Sequence, residues 1–227
     1  WYSTIRDISF NGKNPARPIL INNESHFSRI ESVSFRGDMN PNVPKVQLNA
    51  SLYSIVDKSD FGGQGDGLES KESTFDIAYY GTNASWFSRN NFNCNGTAAQ
   101  LHGTFSFRDS TIENSGNSSG KPHFILGEKG KSSAAKSVMD FVYFECGTST
   151  TVQSIPPLIR IDSDQQPSIT NCILQYANTN HPDGDSTVLV KSEVSSLGSL
   201  IFNHNIIRPV TPTVGVGKAL DINMSSY

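Results

Sequence analysis

Ile30-Glu31-Ser32-Val33-Ser34-Phe35-Arg36-Gly37 is the stretch whose reading decides the fold. Apolar and polar positions alternate and the run closes on glycine, the pattern of a strand with one buried face entering a turn. The same pattern stands upstream as Ile5-Arg6-Asp7-Ile8-Ser9-Phe10-Asn11-Gly12. Looser copies follow at Ile55–Gly62, Arg89–Gly96, Phe107–Asn114, Phe141–Gly147, Ser168–Tyr176 and Ile201–Arg208. Their last apolar residues are Phe10, Phe35, Phe61, Cys94, Ile112, Phe144, Leu174 and Ile207, spaced by roughly 18 to 33 residues. That spacing marks repeat architectures.

A unit of this size cannot bury its apolar face alone, whereas stacked units bury it continuously and pair each backbone with the units above and below. The expected fold is therefore all-β: a right-handed parallel β-helix, one domain over residues 1–227, with protruding loops. Variable spacing then reflects loops of different length, at Asp38–Val46, Gly62–Ser73, Asn114–Ser132 and Asn178–Asp185. The competing all-β reading is a sandwich, which spaces turns every 8–12 residues or so and favours Asn-Gly hairpins that are weak here. The chain begins at Trp1 and no capping unit is recognisable, so a piece of a longer chain is expected.

Composition agrees. Of 227 residues 17% are charged, below the roughly 25% of an average soluble domain. Ser, Thr, Asn and Gly take their place and suit bends and solvated strand faces. The net charge of −3 creates no field that draws nucleic acid. No run approaches the roughly 18 apolar residues of a membrane span, so no membrane insertion is expected. Cys94, Cys146 and Cys172 are odd in number, so at least one is unpaired within the chain, and none has a zinc-ligand spacing. In the register of the repeats Cys94 takes an inward position. No metal and no cofactor is expected.

The repeat pattern, carried most clearly by Ile30–Gly37, Thr111–Asn114 and Asn171–Tyr176, resembles the β-helical body of bacteriophage tailspikes and related pectate-lyase-like proteins. The resemblance covers nearly the whole chain and implies an elongated homotrimer, outside the cell or on the virion surface, that binds a bacterial surface polysaccharide along its side. Such folds host hydrolases, lyases and plain adhesins, so function has to come from the site.

The sharpest local motif is Asp57-Lys58-Ser59-Asp60-Phe61-Gly62. It resembles the Asp-x-x-Asp-Leu-Gly stretch of tailspike endorhamnosidases, with Phe61 in place of Leu, and the resemblance implies that both aspartates are catalytic. Glycoside hydrolysis needs two carboxyl groups, one to protonate the leaving oxygen and one to attack or to activate water. In a regular strand Asp57 and Asp60 point to opposite faces, so a turn between them is required. The repeat register stacks Asp57 above Glu31 and Glu31 above Arg6, at about 4.8 Å per step. Glu31 and Asp57 then form either a pair with raised carboxyl pKa or two solvated groups whose charge Arg6 relieves. Asp57, Asp60 and Glu31 are the candidate catalytic carboxylates. Tyr79, Tyr80 and Trp86 are the candidate sugar-binding rings, since flat aromatic faces suit the apolar faces of sugars; Phe87 reads as core. The rival functions are a non-catalytic adhesin of the same fold and a polysaccharide lyase. Gly62–Glu69 reads as a rim loop, with Asp66 and Glu69 as a conceivable calcium pair. The histidines show no metal or nucleophile spacing and no Gly-x-Ser-x-Gly elbow exists.

Overall fold

The computed structural model describes residues 2–13, 17–23, 26–38, 43–50, 52–62, 75–93, 97–113, 122–131, 135–145, 157–176, 190–194, 199–209 and 220–222. Among them the protein is all-β, with no helix. The strands form two sheets, one of fourteen strands and one of eight. Every strand pairing within the two sheets is parallel.

The smaller sheet stacks Phe10, Phe35, Phe61, Phe92, Ile112, Phe144, Leu174 and Ile207 in one register column. The first four, Phe10, Phe35, Phe61 and Phe92, stack face to face, with centroids 5.4, 5.1 and 4.7 Å apart in sequence. Such stacks add about 0.5–1.5 kcal/mol per pair beyond the area they bury. Phe92 takes the place expected for Cys94, because Asn91–Asn93 is the strand and Phe92 its inward residue; the glycine at 96 misplaced the unit by two residues. Cys94 lies outside the described residues. Among the described residues Cys172, free and fully buried, is the thiol that faces inward. Burial raises its pKa to about 11, which keeps it protonated and unreactive.

The larger sheet carries a second column, Arg6, Glu31, Asp57, Ser88, Arg108, Asp140, Thr170 and Asn203. The stacking of Arg6, Glu31 and Asp57 is the one expected from the repeats. Between this column and the small sheet the chain turns a corner on one left-handed residue per repeat. These are Asp7, Ser32, Lys58, Arg89, Asp109, Phe141, Asn171 and His204, with φ between 49° and 55°. Left-handed backbone costs an L-residue roughly 1–2 kcal/mol, so tertiary structure holds these corners in place.

At several corners the following residue is polar, and Ser59, Asn90, Ser110 and Asn205 satisfy backbone groups that the bend removes from the ladder. The Asn90 side-chain carbonyl accepts from the Ser59 amide at 2.9 Å, and its amide donates to the Val56 carbonyl at 2.9 Å. Ser59 Oγ accepts from the Val33 amide at 3.3 Å and Ser110 Oγ from the Asn90 amide at 3.1 Å. Asn205 repeats the arrangement on Cys172 and Ile169, at 2.9 Å each.

A third strand per repeat was not expected. It begins each rise of the larger sheet and runs through Leu20, Val46, Ile77, Ala99, Phe124, Ile159, Val190 and Leu220 in register. Residues 122–131, expected within a protrusion, therefore supply a core strand: Phe124 and Leu126 are buried against Ala99, Leu101, Ile159 and Ile161. Residues 63–73 and 178–185 of the other expected protrusions, and with them Asp66 and Glu69, lie outside the described residues, as does 39–42.

Candidate functional site

Period-2 alternation sets what the larger sheet presents to solvent. In Ser28–Glu31 the side chains of Ser28 and Ile30 are buried while Arg29 and Glu31 face out. In register with them come Ile55 and Asp57, then Trp86 and Ser88, then Ser106 and Arg108. One outward face thus carries Glu31, Asp57 and Trp86 together.

At the near edge of this face stands an aromatic row of which sequence reading singled out only Trp86. Tyr2, Phe27, Tyr53 and Trp86 stack in succession, with centroids 5.0, 4.9 and 6.4 Å apart and planes within 26°. The row is exposed: Phe27 43%, Tyr53 42% and Trp86 45%. Phe27 and Tyr53 also hold left-handed backbone, φ 59° and 54°, where bulky residues are genuine outliers. The sequence did carry a signal. Tyr2-Ser3, Phe27-Ser28 and Tyr53-Ser54 are aromatic–serine pairs one repeat apart.

Asp57 is almost fully enclosed on this face, its side chain 3% exposed. Arg89, the corner residue of the next repeat, donates from Nε to Oδ1 at 2.8 Å and pairs through a second guanidinium nitrogen with Oδ2. Ser88 Oγ donates to Oδ1 at 2.8 Å. Burial pushes the Asp57 carboxyl up, but the bonds from Arg89 and Ser88 outweigh it and hold it below its usual value. Glu31 takes a 2.9 Å bond from Arg29 Nε, and that bond lowers its pKa despite the opposing effects of desolvation and Asp57. The two carboxylates are thus each served by their own arginine, and neither leans on Arg6, whose nearest acid is Asp7 at 4.0 Å. The raised-pKa alternative does not hold for either.

Asp60 lies around the corner on the smaller sheet. It pairs with Arg36 and accepts from Asn91 Nδ2 at 3.1 Å. The bend at Lys58 is the turn that the Asp57–Asp60 motif required, yet it sends the two carboxylates to different sheets. Tyr79 and Tyr80 sit in the strand Phe75–Ser88, in register with Leu48 and Asn49 of the extra strand column and well before Trp86. Their side chains lie outside the described residues.

Beside Trp86 opens a cleft of about 360 Å³ lined by Trp86, Ser88, Arg89, Ser106, Arg108 and Asp109. It lies at the lower end of the roughly 300–1,000 Å³ of small-ligand sites. Among the described residues no group of three or more His, Cys, Asp or Glu side chains is placed to hold a metal ion. No helix there is long and apolar enough to cross a membrane. Comparisons with known protein families, with curated proteins and with solved structures return no match for this chain.

Proposed function

We propose that the chain is a right-handed parallel β-helix, similar to the body of phage tailspikes, that recognises a bacterial surface polysaccharide along its larger sheet. What supports the helical reading is the eightfold recurrence of strand, left-handed corner and strand with parallel pairing throughout, together with the right-handed rule for parallel crossovers. The observation that carries the functional reading is the aromatic row. Exposed rings on left-handed backbone cost stability twice, by leaving apolar area in water and by strain. Costly outliers of this kind point to function. A row of rings rising one repeat at a time matches an elongated ligand with apolar faces and hydroxyl edges, which is the chemistry of a glycan.

Endoglycosidic cleavage is the second reading, favoured by the placement of Glu31 and Asp57 on the same face as Trp86. Asp57 and Glu31 are held ionised, but Arg89 and Ser88 occupy both oxygens of the enclosed Asp57; Glu31 alone is open to act as nucleophile or base, and the proton donor that hydrolysis also needs is not supplied by either. Recognition is therefore the stronger claim, and homotrimeric assembly and a place on the virion or outside the cell accompany it.

A panel of bacterial capsules and O-antigens tests both. Binding without new reducing ends supports a recognition module, and binding with new reducing ends supports hydrolysis. Absorbance growing near 235 nm, the unsaturated uronate band, would assign the protein to the lyases instead. A panel with no binder would refute the proposal.

A further inference from the structure

Resting on that reading, we infer that Phe141 is a further sugar platform, a subsite at the corner just beyond the cleft beside Trp86 that holds another unit of the same glycan. Phe141 breaks the pattern of its column. The other seven corner residues are polar, and Phe141 alone sets an apolar ring on the left-handed backbone. The ring is 59% exposed and has no aromatic partner among the described residues, whereas Phe27 and Tyr53 cover each other's faces. A bulky residue in this region is a genuine outlier, and strain of that kind collects where it serves a site.

The surroundings are those a sugar needs. Backbone bonds set Phe141 between Asp109 and Asn171: the Asp109 N–H donates to the Asp140 carbonyl at 3.2 Å and the Phe141 N–H to the Thr170 carbonyl at 3.3 Å. Corner residues of successive repeats therefore stand about 4.8 Å apart. Both neighbours are exposed, and each keeps an acceptor that takes no hydrogen bond among the described residues. These are the Asp109 carboxylate and Asn171 Oδ1, the Asn171 Nδ2 being spent on Asp140 at 2.8 Å. An apolar face with acceptors on either side matches a sugar ring, whose C–H face lies on the aromatic while its hydroxyls donate to the rim. A protein partner would call for a wide apolar patch, and both corner neighbours are polar. Asp109 also lines the cleft beside Trp86, so cleft and subsite share it as a common edge. A glycan seated on the indole and passing Asp109 meets Phe141 one repeat higher. The subsite thus selects for glycan length and for an unhindered C–H face, and makes no demand on charge.

The full chain is titrated calorimetrically with a polysaccharide that binds on the panel, intact and as size-graded fragments from partial acid hydrolysis. Phe141→Asn should weaken the intact polysaccharide about fivefold to tenfold and melt no lower than the wild type. The shortest fragments that bind fill the cleft alone and should not distinguish the two proteins; the difference should open as the fragments lengthen. Phe141→Tyr, which keeps the ring, should stay within about twofold of the wild type. If Phe141→Asn melts lower, Phe141→Ser, matching the Ser32 corner, takes its place with the same expectations. Wild-type affinity of the folded variant for the intact polysaccharide, with binding still lost in Trp86→Ala, would overturn the inference and leave recognition standing. An equal loss on the shortest fragments would also overturn it, since Phe141 would then belong to the cleft. So would a loss in Phe141→Tyr as large as in Phe141→Asn, because the ring would not be what binds. No binder anywhere on the panel would sink both readings.

Discussion

Arg89 reaches back across the repeat boundary to clamp Asp57, thirty-two residues earlier in the chain, through both carboxylate oxygens. The corner that bends one repeat thereby locks the outward column of the one before it. The same guanidinium forms a wall of the cleft beside Trp86, so stability and binding surface meet in one side chain.

Replacing Asp57 with Asn tests the clamp by its pH dependence. The folded carboxyl has a pKa below the unfolded one, so its stabilisation is present above the unfolded value near 3.8 and lost as pH falls through the folded value. Asp57→Asn should therefore melt lower than the wild type at pH 7, and the two should converge in strong acid. If a reducing-end assay detects cleavage, the same variant should lose at least about a hundredfold in rate if Asp57 acts directly on the bond.

The inward asparagine at the following position carries a larger structural burden. Asn90→Ala leaves the Ser59 amide and the Val56 carbonyl buried without partners. At about 1–3 kcal/mol for each orphaned group, chemical denaturation should report a loss of about 2–5 kcal/mol. A loss below about 1 kcal/mol would mean that water reaches the corner.

His123 is wholly buried, and neither ring nitrogen has a partner among the described residues. Burial depresses its pKa from 6.5 to about 3. The unfolded chain binds the proton first, so stability falls as pH drops from about 6.5 towards 3, by up to about 1.4 kcal/mol per pH unit. Asp57 acts only below about 4, whereas His102, whose pKa burial also lowers, adds to the same window. In His123→Leu the decline between pH 6 and 4.5 should flatten markedly; an unchanged pH profile would show that His123 is not the acid-sensitive group.

How much of this was legible in the sequence follows from side-chain periodicity. The strand on each side of the corner was readable, because residues such as Val33 and Phe35 alternate cleanly with serine and set the register that stacks Glu31 beneath Asp57. The corner itself was not. Asp7, Asp109, Asn171 and His204 are of types that favour left-handed backbone, but the same position holds Ser32, Lys58, Arg89 and Phe141, whose conformation the stack imposes. The third strand escaped for another reason. Units such as Phe124-Ile125-Leu126, buried at all three positions, show no alternation, and short apolar runs of this kind lack a period to read. Arg89 was not linked to Asp57 because the two meet only through the lateral stacking of repeats.

Phe141 gives a direct measure of the corner strain, since it is 59% exposed and has φ 53°. Asparagine tolerates left-handed backbone without the freedom glycine adds to the unfolded chain. Phe141→Asn should stabilise the protein by about 0.5–1 kcal/mol in chemical denaturation. Destabilisation would show instead that the ring's remaining contacts matter more than the strain.

The claim that the exposed aromatic row holds a glycan is tested most directly by calorimetric titration of one polysaccharide from the panel into the wild type and into Tyr53→Ala, Trp86→Ala and the double variant. Both residues are over two-fifths exposed, and substitutions at such positions usually change stability by less than about 0.5 kcal/mol, so the melting temperatures serve as the folding control. The account predicts that each single substitution weakens binding several-fold to about tenfold, and that the double variant, folded as before, binds at least about thirtyfold more weakly. A folded double variant that binds the polysaccharide with wild-type affinity would contradict it.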